Sequence, residues 1–156
     1  MNPTPVRCLI LACGNTLRSD DGVGPWLAEW AEQRFRNEPR VRVVTRQQWT
    51  PELAEEIAAA GAVLFLDCSI AAAPGELRLA AVEPSQNHAE PGTHHLGAAE
   101  LLALSRGLYA TLPREAMLLT IGAGSTELGE RFSDAVRAAL PAAQRRIEET
   151  IQHLIG

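Results

Sequence analysis

A chain of 156 residues, 46% hydrophobic and 21% charged, is expected to form one globular domain, residues 1–156, with a core that needs neither disulfides nor structural metal. Its formal charge of −5 argues against a nucleic-acid partner, because neutralising phosphates takes a surplus of Lys and Arg on one face, and the densest basic cluster here is only Arg145-Arg146. Three cysteines without a CxxC pair suit a reducing cytosol, and no apolar run is long enough for a bilayer; the opening Met1–Pro5 also lacks the basic and apolar segments of a signal peptide, so a cytoplasmic monomer with no membrane partner is expected.

The elements alternate between strand and helix. Val6–Leu11 is an apolar run broken only by Arg7, as in a strand buried on both faces. The polar loop Gly14–Asp21 leads to a helix starting near Asp21, with Val23, Trp26, Leu27 and Trp30 at helical spacing. Val41–Val44 forms the second strand. Thr50-Pro51-Glu52 supplies an N-cap, a proline in the first turn and an acidic start for a helix running to about Ala60. Ala62–Leu66 is the third strand and carries Asp67 at its C-terminal end.

Pro74-Gly75 makes a turn before Glu76–Val82, whose alternation suits an edge strand. Residues Glu83–Thr93 read as a loop, Leu96–Leu108 as a helix and Met117–Ile121 as the last strand. From Ser133 the chain is helical, with Pro141 either kinking the helix or starting a second segment. This order predicts a layered α/β fold with a largely parallel sheet.

In such a sheet, ligands gather beyond the C-terminal ends of the strands. Asp20 and Asp21 follow the first strand, Asp67 ends the third, and His94 stands where the long loop enters a helix. Either Asp of the pair could serve only a helix N-terminus through its dipole. Asp20 is the better candidate for that structural part, which leaves Asp21 for the cleft. Asp67 closes a wholly apolar run, where an unpartnered carboxylate is costly. His94 and His95 are adjacent, so they cannot comfortably serve one site together.

Asp21, Asp67 and His94 make an oxygen, oxygen, nitrogen set suited to a borderline first-row metal with open positions. HExxH is absent, as is a GxSxG elbow, and Ser125 has no obvious base. Cys68 with His94 is a thiol alternative, weakened because Cys68 should point opposite to Asp67, toward packing. A Rossmann-like nucleotide module is a further alternative, but it wants free amides where this chain places two carboxylates, and GxGxxG is lacking.

The stretch Gly14-Asn15-Thr16-Leu17-Arg18-Ser19-Asp20-Asp21-Gly22-Val23-Gly24 resembles the opening signature of hydrogenase maturation proteases. The likeness continues through Asp67, through His94-His95-Leu96-Gly97 and through Gly122-Ala123-Gly124-Ser125, in the same order. It implies an α/β/α sandwich around a twisted, mostly parallel sheet of about five strands. It also implies an endopeptidase that removes the C-terminal extension of a nickel-iron hydrogenase large-subunit precursor after nickel insertion. The nickel would come with that precursor, the partner, and no tightly bound cofactor is expected. Asp21, Asp67 and His94 stand at the positions thought to contact it, either to activate water or to orient the scissile bond. A chaperone that holds the loaded precursor without cutting is the alternative. Two departures stand out: some members carry Glu in place of Asp21, and Gln47-Gln48-Trp49-Thr50-Pro51 replaces a frequent Gly-Gly-Thr loop.

Overall fold

The computed structural model describes residues 5–86 and 96–156. Five strands, β1 (Cys8–Cys13), β2 (Val41–Arg46), β3 (Ala62–Ser69), β4 (Leu77–Ala81) and β5 (Glu115–Gly122), form one sheet in the order β2-β1-β3-β5-β4. All neighbours are parallel except β4, which runs antiparallel along the outer side of β5. Four helices pack on it: α1 (Val23–Arg34), α2 (Leu53–Ala59), α3 (Ala98–Tyr109) and α4 (Asp134–Ile155). A 3-10 turn, Ser19–Gly22, precedes α1.

Two-residue periodicity along the central strands divides the core into two layers. Cys8, Ile10 and Ala12 of β1 join Ala62, Leu64 and Leu66 of β3 on the face covered by α1 and α4. Leu9, Leu11, Val63 and Phe65 point the other way, against Leu53 and Ile57 of α2 and Leu101 and Leu102 of α3. Strands buried on both faces must be apolar throughout, which is why β1 and β3 show no polar alternation until their ends. The predicted α/β/α sandwich with a mostly parallel five-stranded sheet is the observed fold.

Strand order places a topological switch between β1 and β3. The chain leaves β1 to form β2 on one side and returns to form β3 on the other, so the two connections part at the C-terminal ends of β1 and β3. A crevice opens at such a point.

Local differences from the sequence reading have physical causes. Strand β1 starts at Cys8 rather than Val6, because the amides of Arg7 and Cys8 both donate to the Arg40 carbonyl, in a turn that precedes the ladder. Helix α2 begins at Leu53 with Glu52 at its N-cap and no side-chain cap, so Thr50 does not fill the expected role; Thr50 and Pro51 instead offer carbonyls to Leu53 and Ala54. Helix α4 runs unbroken through Pro141. Pro141 and Arg137, the residue whose carbonyl loses its donor, both lie on the exposed side, where water replaces the missing bond.

Removal of the fully buried Phe65 side chain, by Phe65→Ala, should cost about 3–5 kcal/mol of unfolding free energy in a denaturant titration.

Candidate active site

At the switch point lies a cleft of about 380 Å³. The loop after β1 lines it with Asn15, Arg18 and Asp21, the loop after β2 with Gln47, Gln48 and Trp49, and the end of β3 with Asp67, Cys68 and Ile70. Cys13 forms part of its floor, and Leu96 and Gly97, just before α3, close one side. Asp21 and Asp67, 46 positions apart by their residue numbers, therefore share one cavity.

The loop after β1 is packed backbone on backbone. Gly14 has φ +152°, and a Cβ there would lie 2.0 Å from the Asp21 carbonyl oxygen. A Cβ on Gly24 would lie 2.4 Å from the carbonyl oxygen of Cys13. Only glycine permits the chain to fold back this tightly over the end of β1. The result presses Asp21 against the loop: its Oδ2 accepts a hydrogen bond from the Asn15 amide at 2.7 Å.

Asp67 stands on the α2–α3 face of β3, the same side as Cys13, with its Oδ1 accepting from the Cys68 amide at 2.7 Å. The Cys13 thiol donates to the Asp67 carboxylate. Burial raises the pKa of Cys13 first of all, and the charges of Asp67 and Asp21 add to the effect. Cys68 is pushed up to about 12 by burial, then by Asp21 and Asp67. Both carboxylates thus act on both thiols. A thiol must ionise to become a nucleophile, and both shifts run against ionisation, which weighs against the thiol scheme. Cys68 packs against the α1–α4 core layer, as expected of it, and also reaches the lining of the cleft.

Asp20 has the structural part expected of it, in an unexpected place. It is fully buried and caps neither the 3-10 turn nor α1. Its carboxylate instead crosses to the loop between β5 and α4. Oδ2 accepts from the amides of Gly124 (2.7 Å) and Ser125 (3.0 Å) and from the Ser133 hydroxyl (2.7 Å), and Oδ1 accepts from the Ser133 amide (2.7 Å). Burial alone pulls its pKa upward, yet the four donors together outweigh that and hold the carboxyl below its usual range. Ser133 is in turn the N-cap of α4, its hydroxyl accepting from Val136.

Of the three residues singled out from sequence, the structure brings Asp21 and Asp67 together; His94, like His95, lies outside the described residues. Among the described residues no group of three His, Cys, Asp or Glu side chains could hold a metal ion. Sequence reasoning missed Asn15, Arg18 and Cys13 as cleft residues. Their nearness to the glycine-rich turn was the available signal. Trp49 was missed as well: it is buried edge-on to Phe65, with ring centroids 5.2 Å apart.

No protein-family model matches the chain, and no curated protein matches it. Solved structures do. The hydrogenase-maturating endopeptidase HybD from E. coli superposes with a TM-score of 0.77 at 21% identity, covering 94% of this chain and 93% of that one. The [NiFe] hydrogenase maturation protease HybD from Thermococcus kodakarensis gives 0.69 at 24% identity, over 92% of this chain and 98% of that one. HycI, a protease of the same description from T. kodakarensis KOD1, gives 0.66 at 24%, over 97% and 93%. At such identities the likeness establishes a shared fold over nearly the whole length.

Because the pKa of Asp20 is lowered on folding, its contribution to stability is present above the ordinary value of 3.8 and drains away as pH falls through the folded value. Asp20→Asn, which leaves buried donors poorly matched, should cost about 2–3 kcal/mol at neutral pH and flatten the loss of stability as pH falls below the ordinary carboxylate value. Urea titrations of both proteins across that range check it. Replacing Cys8, Cys13 and Cys68 together by Ser should preserve whatever hydrolytic activity the folded protein has. Loss of all activity in a folded triple variant would revive the thiol scheme.

Proposed function

We propose that this chain is an endopeptidase of the hydrogenase-maturation type, acting on the large-subunit precursor of a nickel-iron hydrogenase once its nickel is in place. The observation that carries the reading is the pairing of Asp21 and Asp67 in one cleft at the sheet's switch point. The fold shared with proteins named as maturation endopeptidases supports it.

The chemistry follows from the two carboxylates. Together in a partly apolar cleft they repel each other, and a cation between them lowers the cost of ionising both. In this reading the nickel of the precursor is that cation and belongs to the substrate. Asp21 and Asp67 offer oxygen ligands, and His94 is the proposed nitrogen ligand; Leu96, two residues further along the chain, lines the cleft. Such a set leaves coordination positions open for the substrate's own ligands. One of the carboxylates then orients or deprotonates the attacking water, whose own pKa the cation would lower. The isolated protein should fold without metal.

Asp21→Asn, Asp67→Asn and His94→Ala should each abolish trimming of nickel-loaded precursor while leaving the circular dichroism spectrum unchanged, since each removes charge or a ligand atom and little core. His95→Ala should trim normally. Intact-mass spectrometry of the precursor before and after incubation reads the outcome. Nickel-free precursor should resist an excess of wild-type protein under chelator; its efficient cleavage would show that the cleft reads something other than nickel. Binding of loaded precursor with no change in its mass would mean a holding protein instead of an enzyme.

A further inference from the structure

We infer that Asp20 is a positioning residue for Asp21: its buried carboxylate ties the turn that carries Asp21 to the far side of the fold and so fixes where Asp21 points. The inference rests on the functional reading above for its catalytic meaning, but its structural half stands without it.

Three observations carry it. First, the two residues are consecutive in one 3-10 turn, Ser19–Gly22, so rotation of the turn moves both together. Second, all four donors to Asp20 come from residues more than 100 positions away: Gly124 and Ser125 just past β5, and Ser133 at the start of α4. A single carboxylate thereby joins three elements. Third, the segment that supplies these donors lines no part of the cleft. Its connection to Asp21 therefore runs through the brace and not through contact with a substrate.

Backbone bonds run alongside. Asp20 donates its amide to the Ser125 carbonyl (3.0 Å) and Ser19 its amide to the Gly129 carbonyl (2.7 Å), while the Gly129 amide returns to Leu17 (2.9 Å). Ser19 itself sits at φ +50°, in the left-handed region that a serine occupies at a cost, so the turn needs outside support to hold its shape. On the cleft side, among the described residues, one short bond holds the Asp21 carboxylate, the one from the Asn15 amide. A turn without the Asp20 carboxylate keeps these backbone bonds but loses its four further ties to Gly124, Ser125 and Ser133, and with them the tightness with which the Asn15 bond is held. Asn cannot substitute: its NH₂ group would face an amide or hydroxyl that already donates.

The test uses the full chain as Asp20→Asn and Ser133→Ala, the second removing the hydroxyl that donates to Asp20 and that also caps α4. Leu140→Ala, a core truncation in α4 that removes none of the donors to Asp20, serves as a control for lost stability. Amide hydrogen exchange of Asn15 is the first readout. Its protection should fall about tenfold or more in Asp20→Asn and less in Ser133→Ala, with Leu11 in β1 holding its protection relative to Leu140→Ala. The second readout is the kinetics of trimming nickel-loaded precursor. In Asp20→Asn kcat should drop roughly 100-fold with KM little changed, as for a misplaced reacting group, whereas Leu140→Ala should keep its kcat below its melting range. If Asp20→Asn does not fold, Ser133→Ala decides through the same two readouts, with smaller changes. Unaltered Asn15 protection in the folded variants, or a kcat in Leu140→Ala as low as in the brace variants, overturns the inference. If wild-type protein trims no precursor, the endopeptidase reading fails while the Asn15 exchange still decides whether Asp20 positions Asp21.

Discussion

An ionised carboxylate leaves water only where other donors replace its hydration, and four donors converge on Asp20. The rest of the cleft depends on that arrangement. The four donors belong to two separated stretches, so the buried charge is stable only when the end of β5, the start of α4 and the turn before α1 are all in register. Ser133 links the charge to secondary structure, because the same residue caps α4. An interior ion of this kind adds definition more than stability: much of its favourable energy is spent on its own desolvation.

Packing supplies the frame. Central strands covered on both faces leave polar side chains only at their ends, and the sheet order makes the ends of β1 and β3 diverge. Cys13 and Asp67 fall on the same face by simple alternation along their strands, so a thiol and a carboxylate meet on the cleft floor. The low polarity that keeps these thiols protonated also makes each carboxylate there responsive to a cation. An acidic pair at a switch point differs from the glycine-rich, anion-binding turn that occupies the same place in nucleotide-binding sheets.

Fold likeness and site chemistry carry different weight. Superposition on the maturation proteases extends over nearly the whole chain, yet at 19–24% identity in the first seven matches it speaks to architecture. One fold hosts many chemistries, so the functional reading has to come from the cleft itself. There Asp21 and Asp67 share one cavity with Cys13 and Cys68.

Much of this was legible in the sequence by itself. Apolar runs at Val6–Leu11, broken only by Arg7, and at Ala62–Leu66 marked the buried strands, Glu76–Val82 showed the alternation of an edge, and Asp67 marked the polar end of an apolar strand, since local periodicity and burial are coupled along a single segment. Tertiary structure alone decided the partners. That Asp20 would bind Ser133 and not its own helix, that Cys13 would meet Asp67, that Thr50 would leave its helix uncapped, and that Pro141 would pass through α4 without a break all depend on which surfaces come together over long sequence separations. Those meetings are fixed by strand order and by which helix face is exposed, quantities to which no local run of residues has access.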